Sequence, residues 1–169
     1  MANGILKVGE ITTSSGSGNI TIGSGVTVNV NRPAFAATLS ADQSISNSTA
    51  TKVTLDTETF DTDSAFASNK FTVPTGQAGK YLIIGNVGYF TLTNEDESRA
   101  MIYKNGAVAA SVATFQGQNG SSGLAVQAVL DLAAADFIEL YALQVSGGAI
   151  SVDGGATGIT FLHGYKLGA

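Results

Sequence analysis

The sequence predicts an all-β fold, a jelly-roll β-sandwich preceded by a short β anchor segment. Three observations carry this. The 169 residues include 21 glycines but only two prolines, and so much Gly, Thr and Val disfavours long helices and favours turn-rich sheet. Apolar and polar residues alternate with period two, the mark of strands with one buried face. Turn signals recur at short intervals between the alternating stretches.

The expected strands run in order from the first aromatic residue, Phe35. They are Ala34–Leu39, Lys52–Leu55, Lys70–Val73, Tyr81–Thr93, Arg99–Tyr103, Ala107–Phe115, Leu124–Leu132, Phe137–Val145 and Ile159–Leu167. Pro74-Thr75-Gly76, Lys104-Asn105-Gly106, residues 117–120, Gly147-Gly148 and Asp153-Gly154-Gly155 are the expected turns. Asn105-Gly106 is the sharpest of these, because Asn-Gly between apolar residues calls for a tight hairpin with positive φ. About nine short strands with regular turns indicate a sandwich or jelly roll. Residues 126–137 are rich in Ala and Leu and could be helical. Leu124, Val126, Ala128, Leu130 and Leu132 alternate cleanly, however, so a strand and then a turn at Ala135-Asp136 is expected.

Residues 1–31 form a separate region ahead of the head domain, residues 32–169. They contain no aromatic residue and are punctuated by Gly and Ser. Ile20, Ile22, Val26, Val28 and Val30 alternate with polar residues, yet so short a segment cannot build its own core. It could be a linker, pack back on the head, or pair with copies of itself or another protein. The last is preferred, because alternating Ile and Val have no purpose in a free linker, and these five residues are the candidate anchor.

Composition excludes several functions. Cysteine is absent, so disulfides, thiolate metal sites and a cysteine nucleophile are ruled out. A net charge of −5 with eight scattered Lys and Arg residues gives no basic face for phosphate contacts, so nucleic acid is not an expected partner. No run is long enough for a transmembrane helix, and the first residues lack a signal-peptide pattern; a chain made without a leader and without membrane insertion is expected. Charged residues are 12% of the chain against about 25% in typical domains, which suits a surface covered by neighbouring subunits.

The chemistry-bearing residues are sparse. His163 is the single histidine and sits between Leu162 and Gly164 in the terminal strand, with no nucleophile or carboxylate in sequence reach. A structural or solvent-facing role is expected. Asp56, Glu58, Asp61 and Asp63 form one acidic cluster and Glu95-Asp96-Glu97 another; both lack calcium-loop spacing and read as solvated loop charge. Residues 151–157 resemble an aspartate-box turn, but Gly158 replaces the usual Trp and there is one copy, so a hairpin turn is expected. No Gly-rich phosphate cradle or nucleophile elbow is present. The chain is therefore expected to be no enzyme and to need no cofactor or metal.

A set of short motifs then points to a family. Pro33-Ala34-Phe35-Ala36-Ala37, Asn69-Lys70-Phe71-Thr72-Val73-Pro74, Gly79-Lys80-Tyr81-Leu82-Ile83 and Ile102-Tyr103-Lys104-Asn105-Gly106 come in that order. Residues 130–140 and the closing Phe161-Leu162-His163-Gly164-Tyr165-Lys166-Leu167 complete it. From Pro33 to Leu167 the chain resembles the globular head of the complement C-one-q family, within the tumour-necrosis-factor-like jelly rolls. Ala135-Asp136 departs from the family's Gly-Asp, and residues 1–31 stand where the family has a collagen-like stalk. That opening, with its Leu6-Lys7-Val8-Gly9 and Gly18-Asn19-Ile20-Thr21-Ile22-Gly23, resembles short β segments of small phage virion and tail-fibre proteins.

The resemblance implies a ten-stranded jelly roll, a homotrimer, and termini near one end. Together the two resemblances imply a virion surface protein of a bacteriophage: a fibre tip for host attachment, or a capsid decoration protein. Other virion proteins would hold residues 1–31, and a host-surface glycan or protein would meet exposed loops. The candidate contact residues are Asn94, Glu95, Asp96, Glu97, Gln116, Gln118 and Asn119. A secreted recognition module of cellular origin, binding proteins or glycans, is the alternative.

Overall fold

The computed structural model describes residues 32–155 and 158–168, together with the turn residue Ser24. The anchor residues Ile20, Ile22, Val26, Val28 and Val30 lie outside the described residues. The strands are β1 (Ala34–Thr38), β2 (Gln43–Ile45), β3 (Thr51–Lys52), β4 (Thr57–Asp61), β5 (Phe66–Ala67), β6 (Lys70–Thr72) and β7 (Gly79–Leu92). They continue as β8 (Glu97–Lys104), β9 (Ala107–Phe115), β10 (Gly120–Leu132), β11 (Phe137–Val145), β12 (Ile150–Val152) and β13 (Phe161–Gly168).

Two antiparallel sheets pack face to face as a jelly-roll sandwich. The first has seven strands in the order β2-β12-β7-β13-β1-β4, with β10 on the other edge of β7. The second has six in the order β5-β6-β11-β8-β9, with β3 also on β11. The long apolar stretches of the sequence are strands as expected, including residues 126–132, which continue β10 rather than turn helical. Four short strands went unread in the sequence: β2, β4, β5 and β12.

Among the described residues thirteen strands appear where a ten-stranded roll was expected, in part because one long strand is interrupted. One edge of β7 pairs with β10 throughout; the other is shared by β13, opposite Lys80 to Asn86, and β12, opposite Tyr89. Strands β12 and β13 thus follow one another along the same edge of β7 as two parts of one interrupted strand. Asp153-Gly154-Gly155 is the start of that interruption, which corrects its reading as a hairpin turn. The backbone of Gly88, facing the break, stays satisfied. Its carbonyl accepts from the Asp153 amide at 2.8 Å, and its amide donates to Thr160 Oγ1 at 3.0 Å. At Gly154 a Cβ would stand 2.3 Å from the Ala41 backbone, so glycine is required there.

The core lies between the sheets. Phe35 stacks on Phe71 at 4.4 Å and on Phe66 at 5.5 Å between ring centroids, with Tyr81, Ile83, Leu140 and Leu162 buried around them. The Tyr81 hydroxyl donates to the Gln77 carbonyl at 2.7 Å, and burial with the nearby Asp63 charge pushes its pKa up to about 12. Tyr89 is pushed upward by burial too, although its hydroxyl is held by Arg99 and Leu143 backbone. The acidic cluster expected in a loop is instead largely ordered. Glu58 and Asp61 lie on β4, Asp56 accepts from Ser40 Oγ at 2.6 Å, and Asp61 accepts from the Phe66 amide at 2.6 Å.

Two turns at one end of the sandwich lock together. Asn105 and Gly106 have φ of 52° and 80°, the paired positive values of a tight two-residue hairpin. Ala135 takes φ 70°, a conformation glycine would adopt freely. Asp136 compensates. It pairs with Lys104 Nζ at 2.9 Å, accepts from Asn105 Nδ2 at 2.7 Å, and caps the Ala133 amide at 2.8 Å. These donors, Lys104 first and Asn105 second, pull its pKa down to about 2, against a small opposing effect of burial.

A depressed carboxylate pKa stabilises the fold above the unfolded value and loses that contribution as pH falls through the folded one. The Asp136 share of stability is therefore full at neutral pH and fades between about pH 4 and 2. Asp136→Asn is expected to lower the melting temperature at pH 7 by several degrees and to shrink the loss on acidification in that window. Thermal melts followed by circular dichroism from pH 7 to 2.5 measure this; parallel curves for the two proteins would refute it.

Candidate functional site

The candidate loop residues do come together, at the end of the sandwich opposite the locked turns. Strand β7 ends at Leu92 and β9 at Phe115, so residues 93–96 and 116–119 are neighbours. The Glu95 amide donates to the Gln116 carbonyl at 2.7 Å, and the Gln116 amide donates to the Asp96 carbonyl at 2.8 Å. The Asn94 amide donates to Asn119 Oδ1 at 3.0 Å, joining the two loops through a side chain.

This geometry divides the seven candidates by role. Asp96 is half-buried and accepts from the Thr93 amide at 2.6 Å and Thr93 Oγ1 at 2.7 Å, so its carboxylate shapes the turn. Glu97 is not in the loop at all: it begins β8 and pairs with Arg99. Asn94, Glu95, Gln118 and Asn119 are exposed, and Gln116 is half-buried. Beside them stands Phe115, 69% exposed, which the sequence reading assigned to an ordinary strand. Its place at the end of an alternating strand gave no signal that its ring faces solvent. Asn47, elsewhere at this end, accepts from the Ser146 and Gly147 amides, each at 2.9 Å, and so is structural.

The second surface was missed in the sequence. It is the outward face of the seven-stranded sheet. The register places Phe60, Ala36, His163, Ile84 and Gln127 in one row across β4, β1, β13, β7 and β10. The next row holds Ala34, Tyr165, Leu82 and Val129. On the other side stand Phe161 and Asn86, with Ala125 across from Asn86. Val129 is 59% exposed and Phe60, Tyr165 and Leu82 are at least partly so. Among the described residues the charges of this face stand at its rim: Glu58 on the edge strand, and Arg32 beside Leu167 and Lys80 opposite Asp131 at one end.

His163 sits in the middle of this face. Its ring stacks on Phe161 with 4.3 Å between centroids and 23° between planes. Among the described residues it has no hydrogen-bond partner, and burial lowers its pKa. Among the described residues no carboxylate or hydroxyl is hydrogen-bonded to its ring. No group of three or more His, Asp or Glu among the described residues is arranged to hold a metal ion.

The outward face of the other sheet is more mixed. Tyr103 and Tyr141 stack at 3.9 Å, and Lys52 pairs with Glu139 at 2.6 Å. At the locked-turn end a shallow cleft of about 450 Å³ lies among Asp63, Ser64, Thr72, Pro74, Thr75 and Ala135.

The start and end of the head lie side by side at the locked-turn end. The Lys166 amide donates to the Pro33 carbonyl at 2.9 Å, and Arg32 Nη1 donates to the Leu167 carbonyl at 3.2 Å. Strand β7 runs its full 14 residues from that end to the loop cluster, roughly 45 Å at the usual rise.

No protein-family model and no curated protein matches the chain. Solved structures do. The globular domain of zebrafish complement 1qA protein is similar at TM-score 0.54 and 15% identity, over 80% of this chain and 98% of that one. Murine APRIL, solved at pH 5.0, is similar at TM-score 0.59 and 15% identity, over 81% of this chain and all of the other. Identity this low shows a shared fold: the chain is a jelly roll of the kind found in both.

Proposed function

We propose that the chain is a homotrimeric, non-enzymatic surface module of a bacteriophage particle, held by residues 1–31 and presenting its loop end outward. The observation that carries the homotrimer is the open apolar face of the seven-stranded sheet. Contiguous exposed apolar surface marks an interaction site. A second copy of the chain is the partner that fits. Copies each carry a net charge of −5 and repel at long range, but this face holds its charges only at the rim. Three copies meeting there would follow the assembly that the family resemblance implies.

The two ends support the rest of the reading. Residues 1–31 join the head at Arg32, beside Leu167, and the Asn94–Glu97 and Gln116–Asn119 loops stand at the far end. A trimer would present three copies of each loop, so weak contacts would add. Asn94, Glu95, Phe115 and Gln118 are the residues offered to a host-surface glycan or protein, whether the trimer tips a fibre or decorates a capsid. An antibody against this chain should label intact particles at their surface in electron micrographs. Label confined to the soluble fraction would overturn the virion reading. The alternative, a secreted recognition module of cellular origin, is favoured by the animal sources of both similar structures; it predicts that soluble label.

A further inference from the structure

We propose that His163 makes the contact between copies pH-sensitive, so that the assembly holds at neutral pH and loosens in mild acid. The inference rests on the reading that copies meet through the outward face of the seven-stranded sheet. It adds a switch which that reading does not require.

The argument starts from position. His163 lies at the centre of the face, between Ala36 of β1 and Ile84 of β7, with Phe161 stacked on its ring at 4.3 Å. Nothing among the described residues donates to it or accepts from it, so no hydrogen bond would hold an imidazolium there. In the separate chain one side of the ring still meets water. A second copy on this face would remove that water and leave a charged ring among apolar groups, which is costly without a paired charge.

The titratable and charged groups that could offset this are few. On β4 there is Glu58, beside Phe60 on the edge strand; on β10 there is Asp131, and on β7 Lys80 opposite it, both at the far end of the face. On β13 there are Tyr165 and Lys166, whose Nζ is turned to Gln77 Oε1 at 2.9 Å, and β1 contributes no charge. Glu58 and Asp131 are rim groups and are outside the row that contains His163.

The sign follows from linkage. Burial already lowers the pKa of His163 in the separate chain from its ordinary 6.5, and covering the face lowers it further. The protonated form then favours the separate chain. Assembly is strongest above the pKa of the separate chain and is lost as pH falls below it. Each histidine protonated only in the separate chain weakens assembly by about tenfold per pH unit, so three together reach about a thousandfold per unit.

The test is the oligomeric state of the full chain by sedimentation velocity at pH 8.0 and pH 5.0, for the wild type and His163→Phe. Phenylalanine keeps the stack on Phe161 and cannot be charged. The expected result is a wild-type trimer at pH 8.0 that dissociates at least tenfold more readily at pH 5.0, and a His163→Phe trimer that persists at both. Circular dichroism at pH 5.0 should show the sheet intact. A wild type equally trimeric at both pH values, or a His163→Phe protein that dissociates as the wild type does, overturns the switch and leaves the assembly reading standing. A monomer at both pH values removes the assembly reading and the switch together.

Discussion

Gly164→Ala is expected to destabilise the head by roughly 3 kcal/mol, the upper end of what overpacking a filled core costs. Gly164 faces the core from β13, directly opposite Phe35 of β1. A Cβ at this position would stand 2.2 Å from Phe35 Cε1 and 3.0 Å from Ile83 Cδ1. The Phe35 ring cannot turn away, because Phe71 and Phe66 stack against it. Relief must come from moving strands. Phe35→Leu alone should cost about 1–3 kcal/mol through lost packing. The double variant should be more stable than the sum of the two losses, since the smaller side chain gives the new methyl room. Urea unfolding of the four proteins measures this. Additive losses, or a neutral Gly164→Ala, would show that the packing is not as described.

Val129→Glu is expected to abolish assembly while leaving the head folded. Val129 is 59% exposed on β10, opposite Leu82 and one strand from Tyr165, so the separate chain tolerates a charge there. In an assembly through this face the same carboxylate is desolvated without a partner. Losing a buried valine costs about 1.5–3 kcal/mol, and burying an unpaired charge costs several kcal/mol more. Assembly should weaken by a thousandfold or more, about 4 kcal/mol at least. Arg99→Glu, a larger change of charge on the outward face of the other sheet, is the control and should leave the oligomer intact. Elution volume with light scattering separates the cases. A Val129→Glu protein of unchanged mass would show that copies do not meet through this face.

The long strands were legible because a sandwich strand leaves its mark directly in the alternation of residues. Residues 107–115 and 137–145 needed no correction. The short strands were not legible. Residues 43–45 and 150–152 pair with each other across the sequence, and two- or three-residue segments carry too little periodicity to be seen. The break between β12 and β13 was invisible for a related reason. Asp153-Gly154-Gly155 looks like a hairpin turn locally, and only the pairing of both flanking strands with β7 shows otherwise.

The site was half legible. Proximity of the Asn94–Glu97 and Gln116–Asn119 loops follows from two hairpin-like returns in the chain. That Asp96 serves the turn and Glu97 the strand depends on hydrogen bonds the sequence does not encode by spacing. The apolar face did leave a signal. Tyr81-Leu82-Ile83-Ile84 is an unbroken apolar run, and a strand that is apolar on both sides is one covered on both sides. Tyr81 and Ile83 face the core, and Leu82 and Ile84 face outward. The sandwich covers only the first pair, and the second is what a neighbouring copy would cover.

The most direct test of that claim is the mass of the full chain in dilute solution at pH 8, by light scattering on an eluting peak. The account predicts three times the 17.1 kDa of one chain, holding down to micromolar concentration. A peak of 17.1 kDa, with the sheet intact by circular dichroism, would contradict it.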